Sequence, residues 1–352
     1  MKTRKRQVIL LVLLLAALLC ACGQEPPGAP ETPPQETHAA TVTVIEDFLA
    51  PDFELTESLA MANYLCGNRA LLSGETLYTL DFDVQLRPVL ASWRYAEGTL
   101  SDYAVLAENC AAAYLVEHGG ALYFVNGGRA ERLELDSGGR EVLCEDARTL
   151  QLFEGRLWYL DAAGNFRSMA LDGSGQTLVL EGPCAYPYVL GGGLLLAQRG
   201  EDEALWLCTL DGEAEWLLCG DPVYAPLLIG QELVFTRQTA EGKRLCRLSL
   251  AEPGAQPETL CEQPIRGAAE FFCDGGWRTR LAHEGDLLRQ SIRPLESPGE
   301  GEECPYSGYH LLDFVGEDLR VDAVYEAGGR LNSFMLYTPE GLLRWFGGEL
   351  TG

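Results

Sequence analysis

After about the first sixty residues, the chain alternates short apolar runs with clusters of Gly, Asp, Ser and Pro. The runs are too short and too regularly interrupted for helices, and they read as strands bounded by tight turns. One unit recurs: a short apolar strand, a Gly turn, then Leu followed by aromatic residues. It appears as Gly74-Glu75-Thr76-Leu77-Tyr78, Gly120-Ala121-Leu122-Tyr123-Phe124 and Gly155-Arg156-Leu157-Trp158-Tyr159. Weaker copies start at Gly193 and Gly230. After the middle copies comes a second strand pair around Asp172-Gly173 or Asp211-Gly212. Such dipeptides between apolar runs predict hairpins, because the turn needs backbone that Gly and Asp adopt easily.

The spacing of these units decides the fold class. Gly155, Gly193 and Gly230 are 38 and 37 residues apart, and the outer copies at Gly74, Gly120, Gly275 and Gly316 are 35 to 46 apart. Four short strands per unit at this period predict an all-β propeller, in which each sheet buries its faces against its neighbours around an axis. Seven units are counted, and the degenerate sixth near Phe271–Gly275 leaves six to eight blades open. A β-sandwich has no such period.

The best copy, Gly155–Gly175, has the pattern Gly-x-Leu-aromatic-Tyr, a spacer, then Leu-x-x-Asp-Gly-Ser-Gly. It resembles the YWTD-type, low-density-lipoprotein-receptor-like β-propeller repeat of bacterial surface lipoproteins. The stretch Met61–Tyr78 is similar to the opening blade of that family. The resemblance covers residues 60–350 and fades after Pro253. It implies a propeller and a surface location. Tyr-Trp-Thr-Asp never occurs intact, so no receptor-type ligand site carries over.

The N-terminus supplies the same address independently. Met1–Gln7 is basic and Val8–Leu19 is twelve apolar residues, short of the roughly 20 that span a bilayer as a helix. Leu19-Cys20-Ala21-Cys22 resembles the lipobox of bacterial lipoproteins. Cys22, preceded by the small Ala21, is the expected acylation site, and Cys20 is not. Residues 1–21 are then a signal peptide. Residues 22–41, with Pro26, Pro27, Pro30, Pro33 and Pro34, form a semi-rigid tether on the lipidated cysteine, and 42–352 form the propeller domain. The expected location is the outer face of the cell membrane. The net charge is −26, with 52 acidic against 26 basic residues. A surface this acidic repels phosphate backbones, so nucleic acid is not an expected partner.

Candidate chemistry is sparse. His118, His283 and His310 fall in different units, no Gly-x-Ser-x-Gly turn occurs, and phosphate-loop and dinucleotide glycine patterns are absent. No catalytic residue, cofactor or metal is expected. Asp172 and Asp136 turns have oxygen donors suited to calcium but read first as hairpin turns. Of twelve cysteines, ten lie in the domain. The repeats align Cys208 with Cys246, and Cys144 with Cys219 and Cys261. Bridges 208–219 and 246–261 are thus conceivable across hairpins. The equivalent pairs Leu133 with Cys144 and Met169 with Leu180 suggest instead a slot for any mid-sized apolar side chain.

Aromatic residues precede apolar segments in successive units: Trp93 and Tyr95, Tyr186 and Tyr188, Tyr224, Tyr306 and Tyr309. If these segments are the innermost strands, the aromatics form a rim at one mouth of the channel. Tyr and Trp there suit stacking on sugars or anchoring a partner. The expected function is a non-enzymatic binding or scaffolding module for a protein, peptide or glycan at the cell surface. The alternative is an envelope glycan hydrolase or lyase, which needs a tight carboxylate pair at one mouth.

Overall fold

A computed structural model describes residues 60–259, apart from 62, 66, 230–231 and 251–254, and beyond 259 the strands of two further sheets. The expected signal peptide, the expected tether with Cys22, and Tyr306 lie outside the described residues. Among the described residues, twenty-eight strands form seven four-stranded antiparallel sheets, each made of four successive strands in order. The first holds β1 (Ala70–Ser73), β2 (Thr76–Phe82), β3 (Pro88–Ala96) and β4 (Thr99–Glu108). The second holds β5 (Ala113–His118), β6 (Ala121–Asn126), β7 (Arg129–Glu134) and β8 (Arg140–Cys144). The third holds β9 (Gln151–Phe153), β10 (Arg156–Leu160), β11 (Phe166–Ala170) and β12 (Thr177–Leu180). The fourth holds β13 (Cys184–Leu190), β14 (Leu194–Arg199), β15 (Ala204–Thr209) and β16 (Glu215–Cys219). The fifth holds β17 (Val223–Ile229), β18 (Glu232–Thr239), β19 (Gly242–Ser249) and β20 (Glu258–Thr259). The sixth holds β21 (Ala268–Cys273), β22 (Trp277–Glu284), β23 (Leu287–Pro294) and β24 (Glu302–Glu303). The seventh holds β25 (Gly308–Val315), β26 (Leu319–Glu326), β27 (Leu331–Thr338) and β28 (Gly341–Gly347).

The sheets form a ring of blades with the first strands innermost. β1 lies against β5 on one side and β25 on the other, β5 against β9, and β9 against β13. The first and last blades therefore meet without exchanging a strand.

The repeated Leu-aromatic motif explains how the ring is held. Leu77, Leu122, Leu157, Leu195 and Leu233, one on the second strand of each of the first five blades, are all fully excluded from solvent. Each packs toward the preceding blade: Leu77 with Val315 and Val321, Leu122 with Leu90, Leu157 with Tyr123. The next residue points the other way, so Tyr78, Tyr123 and Trp158 pack against the following blade. Alternation of side chains across a strand with both faces covered therefore reads as a continuous apolar run. Each such leucine contributes about 1.5–3 kcal/mol relative to an exposed one.

Polar residues close each second strand. Asp161 follows β10, and its carboxylate accepts hydrogen bonds from Asn165 N (2.8 Å), Asn165 Nδ2 (3.0 Å) and Arg167 Nε (2.7 Å). Asn165 Oδ1 in turn accepts from Gly182 N (2.9 Å), tying this turn to the crossing into the fourth blade.

The third-to-fourth strand hairpins correct one expectation. Leu133 pairs with Arg140 and Cys144 with Ala130, while Leu180 pairs with Phe166 rather than Met169. Cys208 faces Glu215, Cys219 faces Leu205, and Cys246 faces Thr259. The chain reverses around Asp136-Ser137 and Asp211-Gly212, earlier than a cysteine-to-cysteine register needs. The six described thiols, Cys110, Cys144, Cys184, Cys208, Cys219 and Cys246, are free, and all but Cys144 are buried.

Candidate functional site

The first strands of the blades begin at one common end of the ring, and three of them break register there. Shifts occur at Ala113/Val116 in β5, Ala185/Tyr188 in β13 and Tyr224/Leu227 in β17. At these bulges Tyr114 and Tyr186 hold φ of 55° and 48°, and Asn68, just before β1, holds 39°. Left-handed backbone at a bulky residue costs roughly 1–3 kcal/mol and persists only where surrounding contacts impose it.

A short segment before the first blade imposes some of them. Residues 60–61 and 63–65 are helical, with Met61 and Tyr64 buried. The Tyr64 ring meets Tyr114 of the second blade edge-on at 5.3 Å and Tyr188 of the fourth at 5.2 Å. Met61 Sδ accepts the amide of Leu228 in the fifth blade at 3.3 Å. A segment that touches the innermost strands of three separate blades sits across the channel. Its far end is stitched to the rim: Asn68 N donates to Asn63 O (2.7 Å), Tyr114 N to Gly67 O (2.5 Å) and Asn68 Nδ2 to Leu115 O (2.5 Å).

A polar group lies at the start of β17. The Tyr224 hydroxyl donates to Glu203 Oε2 at 3.1 Å. Glu203, on the β14–β15 turn, has φ of 52° and is fixed through its carbonyl, which accepts from Val223 N (3.2 Å) and Gln198 Nε2 (3.0 Å). Burial pushes the Tyr64 hydroxyl well above its ordinary range, with Tyr114 adding to the shift and Thr149 opposing it. Burial, then the Glu203 charge, raises Tyr186, and burial with the Glu203 hydrogen bond raises Tyr224. These phenols stay neutral around pH 7, and the Tyr224 hydroxyl is the donor to Glu203.

The structure gathers part of the expected rim and disperses the rest. Tyr186 and Tyr224, near the starts of β13 and β17, form a collar with Tyr114 near the start of β5, while Tyr188, further along β13, is buried against Tyr64. Trp93 and Tyr95 do not belong to it. They lie on β3, buried against Val315, Leu319 and Val321 of the last blade, and Trp93 also meets the Tyr103 ring at 4.5 Å. The apolar segment that follows them is β4, an outermost strand. Tyr309 is on β25, opposite Tyr325. Met61, Tyr64, Tyr114 and Glu203 were not expected. Tyr114 carried a usable signal, since Ala113-Tyr114 matches Ala185-Tyr186 in repeat position, with Tyr224 one position earlier in the fifth blade.

Among the described residues no group of three or more His, Cys, Asp or Glu side chains is arranged to hold a metal. The Asp172 carboxylate is engaged in its own turn, accepting from Ser174 N at 3.0 Å.

No family model matches this chain, and no curated protein is similar to it. Solved structures are. A puromycin-hydrolyzing peptidase of Mycobacterium tuberculosis superposes with a TM-score of 0.56 at 16% identity, over 83% of this chain and 56% of that one. A puromycin hydrolase gives 0.51 at 15%, over 78% and 53%. The fold is a β-propeller. The propeller domain of the Trilobed protease from Pyrococcus furiosus, at 12% identity and a TM-score of 0.49, covers 78% of this chain and 96% of that domain. The chain spans little more than half the length of the two puromycin-cleaving enzymes, and the likeness at these identities is one of fold alone.

Proposed function

We propose that this protein is a lipid-anchored binding or scaffolding propeller, displayed outside the cytoplasm and without catalytic activity of its own. It takes a protein, peptide or glycan partner at the tyrosine collar. The observation that carries this reading is the collar itself. Tyr186 and Tyr224 stand half-buried with Glu203 at the starts of β13 and β17, and the buried Tyr64 ring meets Tyr114 and Tyr188, with Tyr114 and Tyr186 on left-handed backbone. Strained backbone concentrates where a side chain is held for a task. Phenols offer a partner an apolar body with a polar edge. The lipobox-like Leu19–Cys22 supports the anchor, and no helix among the described residues is long and apolar enough to cross a membrane. The test is binding of the detergent-solubilised full chain to cell-wall glycans and membrane-protein extracts. Tyr186→Ala and Tyr224→Ala should weaken capture while leaving the melting temperature within a few degrees. Undiminished capture by both variants refutes the assignment of the collar.

A further inference from the structure

The turn between β2 and β3 displays two aliphatic side chains to water, and we propose that this tip enters the surface of a lipid bilayer and sets which mouth of the ring faces the membrane. The inference rests on the lipid-anchor reading above. Val84 and Leu86 are 93% and 60% exposed, the most exposed large apolar residues among those described. They do not sit on a loose loop. The Asp83 carboxylate accepts from Gln85 N (2.8 Å), Arg87 N (2.9 Å) and Arg87 Nε (2.7 Å), and the Arg87 guanidinium also donates to Gln85 Oε1 (3.3 Å). Backbone bonds close the same turn, from Leu86 N to Asp83 O (2.9 Å) and from Asp83 N to Arg87 O (3.0 Å). The turn is fixed at the collar end of the ring, where Cys110 N, in the link leading into β5, donates to Pro88 O at 2.8 Å. Leu86 holds φ of 60°, a left-handed conformation that disfavours a bulky side chain. In the corresponding turns of the next four blades no apolar side chain is larger than alanine, and left-handed backbone falls mainly on glycine, as at Gly128 and Gly164. The first blade instead puts leucine there and leaves most of it in water, so burial does not offset the strain.

The shape and surroundings of the tip select a lipid surface over a protein pocket. The tip is convex, and the Asp83 and Arg87 charges beside it neutralise each other in an ion pair of 2.6 Å. A stable protein interface takes about 800 Å² from each partner around an apolar centre, and two aliphatic side chains flanked by polar ones fall far short of that. A shallow apolar insertion suffices at a bilayer when a second signal already holds the protein there. Cys22 is that signal. It lies 38 residues before Ala60, a length that reaches at most about 130 Å. Either mouth can therefore come down on the membrane, and the apolar tip decides between them. The net charge of −26 favours zwitterionic over anionic lipid. The first blade lies across the ring from the fourth and fifth, so contact at its rim leaves Tyr186 and Tyr224 uncovered.

The experiment reconstitutes the full acylated chain into protein-free phosphatidylcholine vesicles whose acyl chains carry bromine, which quenches indole on contact. Val84→Trp adds one indole to the six native ones. Its added emission should be about threefold lower in brominated than in plain vesicles, because the tip lies among acyl chains. Combining it with Leu86→Asp should restore that emission. The matched control is Leu178→Trp on β12, where the side chain is also exposed but belongs to an outer strand of the third blade; its quenching should be negligible. In detergent, Val84→Trp and Leu86→Asp should each melt within about 3 °C of wild type, because both sites are exposed. Equal quenching at the two positions, or none at either, in protein that sediments with the vesicles overturns the tip assignment and leaves the anchor standing. Protein that stays in the supernatant overturns both. An unquenched Val84→Trp indole whose emission shifts to the blue on adding membrane-protein extract assigns the tip to a protein pocket and overturns the lipid assignment.

Discussion

Removing the Tyr64 side chain tests whether the segment before the first blade is part of the fold or merely rests on its rim. Tyr64 is 6% exposed and Met61 1%. The ring touches Tyr114 and Tyr188 in edge-on pairs, each worth about 0.5–1.5 kcal/mol beyond the area buried. Truncating a large buried aromatic to alanine costs about 3–5 kcal/mol, with the higher end where surrounding groups cannot collapse. The neighbours here are strands of a closed ring, which can close over the gap only by distorting the blades. For a domain of this size that loss lowers the melting temperature by roughly 6–10 °C. Tyr64→Phe keeps both ring contacts and removes a buried hydroxyl, so its change should stay within about 1 kcal/mol. The assay is thermal unfolding followed by near-ultraviolet circular dichroism, run beside limited proteolysis of the native protein. Cleavage within 60–67 should accelerate in Tyr64→Ala. A melting temperature within 2 °C of wild type, with unchanged cleavage, would falsify the view that this segment braces the second, fourth and fifth blades.

Four further outcomes follow. A Cβ at Gly182 would lie 2.3 Å from Gly164 O and 2.6 Å from Gly164 C; because backbone cannot step aside there, Gly182→Ala should abolish soluble expression, and normal yield would contradict the close approach. At Asp161 burial opposes ionisation, but the bonds from Arg167 and Asn165 prevail and hold the carboxyl below its usual range. Its contribution is therefore complete above the unfolded value of about 3.9 and fades as pH falls through the lower folded value. The melting-temperature gap between wild type and Asp161→Asn should be full at pH 7 and shrink below about pH 4; a gap that widens on acidification refutes the assignment. Burial pushes the Cys110 and Cys184 thiols up to about 11, so native alkylation at pH 8 should mark the half-exposed Cys144 well before the other described cysteines, and mass spectrometry showing equal rates or protected 208–219 pairs would overturn this. Cys22→Ser should release the protein from the membrane fraction while Cys20→Ser should not; the reverse pattern displaces the acylation site.

The propeller is visible in the sequence because one position carries the same physics in the first five blades. In these blades the leucine of the second strand faces the preceding blade, and the residue after it, aromatic in the first three and Leu196 in the fourth, faces the following one, so both are apolar and the pair repeats with the blade. The cysteine register was harder to read. Hairpin pairing depends on where the turn centres, and moving that centre by two residues changes every partner across the ladder. Trp93 and Tyr95 misled for a related reason. A buried third strand and a first strand both show aromatics beside an apolar run, and only the ring geometry says that β4, not an innermost strand, comes next. Met61 and Tyr64 form an apolar pair three residues apart in a segment too short to announce a helix. Glu203 is one of 52 acidic residues until the β14–β15 turn is bolted to β17.

What unites the collar is a cost that the repeat does not need. A blade can start its first strand without a bulge, as β9 does, pairing in unbroken register with β10. β5 and β13 instead bulge at a tyrosine on left-handed backbone, where glycine or asparagine would be cheaper. Part of that cost has a structural offset, since Tyr114 packs on Tyr64. Tyr186 has a different neighbourhood: it is only half-buried and shares its surroundings with Glu203 and Tyr224. If Tyr186 were there for stability, Tyr186→Gly would lower the melting temperature, despite relieving the φ of 48°, and leave ligand capture intact. If it is there to meet a partner, the same substitution should hold or raise the melting temperature while capture falls. The two readings diverge on a single variant, because strain relief and loss of the phenol act in opposite directions on two separate measurements.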